Sequence, residues 1–241
     1  MSADQATYPP LDVLKPVADG VWVVDSGPLM VARIPLPVRM TVLRVDGGML
    51  LHSPTRYDRD LREAIAAIGP IRHLVAPSFA HWMFMREWVA ACPDAITWAA
   101  PGLRDRRQVR RAGLRLDRDL GGPAWPDIEQ CVIPGGGGFR EVAMLHRPSG
   151  TALLADLMQN LEPEKLPAVA RPLARLLGVT APDGRAPVYL RAIVRLRRRD
   201  AASAAVRVLA WEPERVIFAH GRWFERNGAA ELRRSLRWLV R

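Results

Sequence analysis

The sequence predicts an α/β protein in which two β-sheets pack face to face with helices on both outer sides, an αββα sandwich. Three observations carry this prediction. Residues 21–53 form a run of apolar strands joined by turns, and residues 57–112 then alternate helix and strand. After residue 130 strands come first again and helices follow. Two halves of this kind, each with strands and helices, favour two sheets that share one core.

The N-terminal strands are predicted from β-rich apolar runs at Val21–Asp25, Met40–Val45 and Met49–Ser53. Asp46-Gly47-Gly48 lies between the last two, and Asp and Gly accept the positive φ that tight hairpin turns demand. These strands therefore start the fold as antiparallel neighbours. Residues 28–39 contain three prolines and are predicted to form a long loop.

Periodicity, together with Gly and Pro as helix stops, predicts the remaining elements. Further strands are expected at 71–76, 95–99, 131–134, 141–146, 151–155 and 215–219. Helices are expected at 57–68, 80–91, 163–178, 188–210 and 228–240, with one more opened by Pro101.

Composition places the chain among ordinary globular proteins. It has 241 residues, of which 49% are apolar and 25% charged, so it can bury a core without disulfide or metal support. No apolar stretch approaches the ~20 residues of a membrane span. Residues 1–10 lack the apolar run of a signal peptide. We expect a single domain over residues 1–241, in the cytoplasm.

The net charge of +10 comes from 33 arginines and two lysines against 25 acids. Such a balance is compatible with a nucleic-acid partner. The arginines, however, spread along the chain, and their densest runs lie within helical patterns. Solvent-exposed helix faces are therefore the favoured interpretation, and association with nucleic acid is the alternative.

Polar side chains at predicted strand ends are the candidates for function, because active residues of α/β proteins collect there. For each of them a structural role in a turn, cap or strand is the alternative. His73 lies within a strand, and His146 ends one beside a turn, so structural roles are expected for both. Asp25 and Ser53 also lie at strand ends, but Ser53 is merely adjacent to His52, and neighbouring residues of a strand point to opposite faces. The candidates are His52, Ser78, His81, Asp156 and His220.

Several segments together resemble the DUF4336 family, a branch of the metallo-β-lactamase fold superfamily, roughly over residues 18–240. The superfamily's pattern is matched by Asp156 after Leu153-Leu154-Ala155 and by His220 after Val216-Ile217-Phe218-Ala219. The segments similar to DUF4336 are residues 39–44, 51–54, 73–78 leading to His81, 87–88, 92–95 and 100–103.

The chain departs from the catalytic members of that superfamily in its histidines. Their His-x-His-x-Asp-His motif follows the strand that ends here at Ala76, where this chain has Pro77-Ser78-Phe79-Ala80-His81. Only His81 remains, in a shifted register, and Pro134–Gly138 stands where the next histidine is expected. The resemblance therefore implies a depleted site without two bridged zinc ions.

A single zinc or iron ion would need only three protein ligands, and the resemblance implies His81, Asp156 and His220 for it. Asp156 and His220 are then the catalytic candidates, and His52 and Ser78 are predicted to bind the ligand. The favoured function is a non-catalytic or non-classical protein that binds a small, anionic molecule or a partner in the old active-site cleft, with no cofactor or one metal ion. A mononuclear hydrolase is the first alternative, and a nucleic-acid-associated protein is the second.

Overall fold

Hairpins build one side of the first sheet, and parallel strands build the other. In the computed structural model, which describes residues 6–240, seven strands lie in the order β1 to β7. Pairing is antiparallel from β1 to β4 and parallel from β4 to β7. The strands are β1 (Lys15–Ala18), β2 (Val21–Val31), β3 (Ile34–Val45), β4 (Gly48–His52), β5 (Ile71–Ala76), β6 (Ile96–Ala99) and β7 (Arg118–Asp119).

The second sheet has four strands in the order β12, β10, β9 and β8, in which only β12 and β10 pair parallel. A separate parallel pair, β11 with β13, lies in the same half of the chain. The strands are β8 (Ile128–Pro134), β9 (Arg140–His146), β10 (Thr151–Leu153), β11 (Gln159–Asn160), β12 (Arg215–Ile217) and β13 (His220–Gly221).

Seven α-helices connect or follow these strands in the part of the chain that the structure describes. Short 3-10 turns occupy Gly136–Gly138 and Pro163–Lys165. Within residues 6–240 no helix combines the length and apolar character needed to cross a membrane. The helices are α1 (Arg59–Ile68), α2 (Met85–Ala91), α3 (Arg107–Ala112), α4 (Arg171–Leu177), α5 (Val188–Arg195), α6 (Arg198–Leu209) and α7 (Gly228–Val240).

Alternation along the strands creates four layers. Neighbouring side chains of a strand point to opposite faces, and Leu50 of β4 accordingly packs between the two sheets while Leu51 packs against helices α1 to α3. In the second sheet, Met144 of β9 joins the layer between the sheets and Leu145 faces helices α5 to α7. The predicted αββα sandwich is thereby confirmed.

The predicted loop at residues 28–39 is wrong. Strands β2 and β3 continue through it as one long hairpin and turn at Ala32-Arg33, whose φ values are 47° and 68°. Two positive φ values suit a tight hairpin turn, which here forms without glycine. The ladder shifts register between Ser26 and Leu29, a bulge that accommodates Pro28, which has no N–H to donate.

Several predicted elements are shorter or divided. The helix predicted at 80–91 begins only at Met85, because turns occupy residues 81–84. The helix predicted at 188–210 divides into α5 and α6. Of the helix predicted at 163–178, α4 forms only the second half. The strand predicted at 215–219 ends at Ile217, and His220 starts the separate strand β13. The helix expected from Pro101 begins at Arg107.

His73 of β5 has the structural role expected of it. The indole Nε1 of Trp98 donates to Nδ1 of His73 at 3.2 Å, and the ring of Trp125 packs edge-on at 5.1 Å. Burial, and then the charges of Arg118 and Arg72, lowers the pKa of His73 from 6.5 to about 4.

We expect this histidine to make the fold less stable in acid. Between pH 6.5 and about 4 the unfolded chain binds a proton at His73 that the folded chain does not, so the free energy of unfolding falls as the pH drops through this window. In His73→Asn the side-chain oxygen takes the place of Nδ1 without titrating. Urea midpoints at pH 7.5 and 5 should differ less for this variant than for the wild type. If the two midpoints differ equally in the variant and the wild type, His73 does not contribute to the loss of stability in acid.

Candidate metal centre

A cavity of about 150 Å³ lies beyond the ends of β4, β5 and β10 and at the start of β13. The hairpin β2–β3 forms an apolar wall with Leu29, Val31, Leu36 and Val38. The polar side chains that line the cavity are Arg39, Ser53, Thr55, His81, Asp156, Gln159, Tyr189 and His220. The predicted residues His81, Asp156 and His220 therefore share one cavity.

Asp156 is held by the backbone that surrounds it. It follows β10 in a loop whose amides of Ala155, Asp156 and Leu157 all donate to the Glu141 carboxylate at 2.8–3.0 Å. Glu141 is fully buried on β9. The Asp156 side chain accepts from the Ser78 hydroxyl at its Oδ2, 2.6 Å away. Its other oxygen, Oδ1, remains for the two histidines.

His81 contacts the site with both ring nitrogens. Its Nε2 lies 3.2 Å from Asp156 Oδ1, and its Nδ1 lies 2.5 Å from the Ser53 hydroxyl. Ser53 follows β4 with a φ of 57°, an uncommon backbone conformation for serine that turns its side chain away from the strand direction. The turn at residues 81–84, in place of the predicted helix start, lets His81 reach this position.

His220 is the first residue of β13 and is buried. Its Nδ1 donates to the Pro37 carbonyl at 2.9 Å, and its Nε2 lies 3.6 Å from Asp156 Oδ1. The next residue must be glycine, because Gly221 has a φ of 91° and a Cβ there would lie 2.3 Å from the Asn160 carbonyl oxygen.

Arg39 ties this strand to the first sheet. Its guanidinium donates to the carbonyls of Phe218 and Gly221 at 3.1 and 2.7 Å. The same group forms a buried ion pair with Asp25 at 2.5 Å, and Lys15 contacts Asp25 from the other side. Arg39 thus fixes the backbone on both sides of His220.

The charges of the site depend on one another. Burial opposes the charge on Asp156, but His81 and hydrogen bonds from His220 and His81 outweigh it and hold the pKa of Asp156 well below its ordinary value. Burial, followed by the charge of Asp156, raises the pKa of Glu141 to about 7. Burial also disfavours charge on His81, but Asp156 outweighs this and raises the pKa of His81. Negative charge therefore concentrates on Asp156.

The three side chains fit a single metal ion. One ligand atom from each of His81, Asp156 and His220 lies within 4.8 Å of the others. Ligands of a tetrahedral zinc ion are roughly 3.4 Å apart, close to the 3.2 and 3.6 Å found around Asp156 Oδ1. A carbonyl only accepts, so Nδ1 of His220 donates to Pro37, and Nε2 is the nitrogen that a neutral ring would offer to a metal ion.

Two predicted ligand-binding residues lie behind the cavity wall. Ser78 is fully buried and contacts Asp156, so it orients that carboxylate. His52 is buried beside the site, and burial, followed by the charge of His81, lowers its pKa to about 3. Neither lines the cavity, whereas Ser53, the neighbour of His52, does. The strand ends at His52, and the turn after it brings Ser53 to the site.

Sequence reasoning missed Glu141 and Arg39 and wrongly set Ser53 aside. Glu141 and Arg39 are charged residues at buried positions of mostly apolar strands, and this signal was present in the sequence. A charge at an inward position of a strand requires a buried partner, which is the backbone of residues 155–157 for Glu141 and Asp25 for Arg39. Ser53 reaches the site because the strand ends at His52, so the alternation of strand neighbours no longer applies to it.

Comparisons with known proteins agree with this architecture. The model of the DUF4336 family, a domain of unknown function, matches residues 18–103, a shorter range than the resemblance drawn from the sequence. No curated protein sequence has significant similarity to the chain.

Solved structures match almost the whole chain at low sequence identity. A metallo-β-lactamase from Hirschia baltica has a TM-score of 0.61 and 13% identity, over 94% of this chain and 96% of its own. The metallo-β-lactamase FIM-1 from Pseudomonas aeruginosa, in a mono-zinc form, has a TM-score of 0.59 and 16% identity, over 94% of both chains. A structure of VMB-1 has a TM-score of 0.64 and 11% identity, over 94% of this chain and 95% of its own. The chain therefore has the metallo-β-lactamase fold, and its residues 18–103 match the DUF4336 family.

Proposed function

We propose that the chain, as one domain, binds a single divalent metal ion through His81, Asp156 and His220 and hydrolyses a small molecule held in the adjoining cavity. The observation that carries this proposal is the convergence of three ligand atoms within 4.8 Å of one another. Among the described residues this is the one group of at least three such side chains that could hold an ion.

The surrounding residues support a bound ion. Zinc or iron(II) would lower the pKa of a coordinated water and so supply a nucleophile near neutral pH. The partners on the far side of each ligand, Ser53 for His81, Ser78 for Asp156 and the Pro37 carbonyl for His220, fix the orientation of the rings and of the carboxylate. Such outer partners are usual around metal ligands. The β2–β3 hairpin gives the cavity an apolar wall beside the three ligands.

The proposal implies one ion rather than two. Three ligands suffice for a catalytic zinc with an open position. Such a site has fewer ligands than a two-metal centre. The interpretation that the sequence favours, a protein that binds a ligand in this cleft without catalysis, is the alternative to the hydrolase.

The cavity lining restricts where an anionic ligand would bind. Arg39 is the one cationic side chain among the described lining residues apart from the histidines, and it is engaged by Asp25 and two carbonyls. An anion would therefore contact the metal ion directly, with the apolar part of the molecule against Leu29, Val31 and Phe84.

One observation favours a second candidate, a serine hydrolase. Ser53, His81 and Asp156 form a continuous hydrogen-bond chain, in which Nε2 donates to Asp156 and Nδ1 accepts from the Ser53 hydroxyl. In that arrangement His81 takes the hydroxyl proton as Ser53 attacks a carbonyl carbon, and Asp156 stabilises the charged ring. This role of His81 excludes its use as a metal ligand.

Metal content and serine labelling distinguish the candidates. The full chain, purified without chelator, should contain one zinc or iron ion per molecule, and hydrolysis of a panel of chromogenic esters, lactams and phosphodiesters should stop with a chelator and return with the metal. Ser53→Ala should keep both the metal and most of the activity. A metal-free protein whose Ser53 reacts with a fluorophosphonate would establish the second candidate instead. If the protein contains no metal and Ser53 is not labelled, but the chain still binds a small ligand, the protein that binds without catalysis is the remaining interpretation.

A further inference from the structure

A second, strongly cationic cleft lies away from the metal centre. It has a volume of about 890 Å³ and is formed by the ends of α5 and α6 together with α7. The side chains that line it are Arg185, Arg195, Arg198, Arg237 and Trp238. Arginines that are distant in sequence therefore meet around one indole ring, and the guanidinium of Arg195 lies 5.9 Å from that ring.

Three of these arginines, Arg185, Arg195 and Arg237, have one carboxylate between them at ion-pair distance among the described residues. Asp183 contacts Arg185 at 2.8 Å and Arg237 at 3.6 Å. Within residues 6–240, Arg195 has no carboxylate at ion-pair distance. Some arginines elsewhere on the surface do have acidic partners of their own, as in the pairs Arg104 with Asp119, Arg147 with Glu129 and Arg233 with Glu212.

Several N–H donors in and beside the cleft have no acceptor. The Nε atoms of Arg185 and of the neighbouring Arg191 and the indole Nε1 of Trp238 are shielded from solvent without an acceptor among the described residues. Shielded N–H groups without acceptors are uncommon in native proteins. Burial, and then the charges of Arg185 and Arg195, lowers the pKa of Arg191.

We propose that this cleft binds a compact oligophosphate group, such as the di- or triphosphate end of a small molecule. Guanidinium groups match phosphate oxygens in pairs of parallel hydrogen bonds, and a ligand with several negative charges relieves the repulsion among the arginines. The arginines of the cleft come from three segments of the chain, the stretch before α5, the junction of α5 and α6, and α7, and they line one cleft. A nucleic-acid backbone would instead need an extended stripe of charge.

The cleft is linked to the metal centre through α5 yet separate from it. Tyr189 near the start of α5 lines the metal cavity, and Arg195 at its end lines the cleft. Oligophosphate binding requires neither metal nor hydrolysis, so the two proposals are tested independently.

Calorimetric titration of the full chain with sodium tripolyphosphate at constant ionic strength tests the proposal. We expect saturable binding at one site per chain. Arg195→Gln and Arg237→Gln should each weaken it about tenfold, because each removes charge-assisted hydrogen bonds. The matched control is Arg104→Gln, an exposed arginine remote from the cleft, which should bind like the wild type. Thermal midpoints without ligand verify that each variant is folded. Arg195→Gln is less exposed to a loss of stability than Arg237→Gln, because it removes no ion pair with a described residue.

Three results would overturn the proposal. The first is the absence of saturable tripolyphosphate binding, and the second is an equal loss of tripolyphosphate affinity in Arg104→Gln and Arg195→Gln, since either outcome means non-specific charge attraction. The third is tight binding of a single-stranded oligonucleotide that needs Arg195 and Arg237, falls steeply with salt and is not displaced by tripolyphosphate. That outcome would identify the cleft as part of a nucleic-acid surface.

Discussion

Asp156→Asn is expected to lower the affinity of the chain for zinc by at least about a hundredfold, because substitutions of residues that only orient a metal ligand already cost about 10- to 100-fold. Asparagine keeps the size of the side chain and the contact with Ser78 but removes the negative charge between His81 and His220. Competition with a chromogenic chelator measures the affinity. Ser78→Ala, which removes an orienting hydrogen bond alone, should fall between Asp156→Asn and the wild type.

Asp60→Asn provides the matched control, because Asp60 is an exposed aspartate of α1 outside the cavity. It should bind zinc like the wild type. If Asp156→Asn and Asp60→Asn bind zinc equally tightly, Asp156 is not a ligand and the single-metal proposal fails.

Glu141→Ala is expected to reduce the free energy of unfolding by at least about 3 kcal/mol, because each buried donor left without an acceptor costs about 1–3 kcal/mol. Three such donors, the amides of Ala155, Asp156 and Leu157, depend on this one carboxylate. The loss also frees the loop that holds Asp156, so metal affinity should fall together with stability. Urea denaturation at pH 7.5 measures the first effect, and chelator competition measures the second.

Glu63→Ala is the control for this substitution. Its carboxylate is exposed on α1 and forms surface ion pairs with Arg59 and Arg62, so the change in stability should be small. A Glu141→Ala protein as stable as Glu63→Ala would mean that the loop at residues 155–157 satisfies its amides in another way.

Much of the architecture could be predicted from local sequence. Period-two and helical patterns locate most strands and helices, and Asp46-Gly47-Gly48 marks the turn between β3 and β4. The β2–β3 hairpin escaped prediction because its prolines mask a strand whose turn, Ala32-Arg33, has no glycine. The start of α2 was misplaced because the turns at residues 81–84 serve the site rather than the helix.

The sequence by itself determined the αββα class and placed His81, Asp156 and His220 at ends of elements, since hydrophobic period and turn residues act over short distances. Tertiary structure decided which polar residues meet. Arg39 reaches the Gly221 carbonyl, and Ser53 reaches His81, across large separations in the chain. Such contacts arise only when the two sheets pack, because burial then obliges each polar group to find a partner wherever the fold provides one.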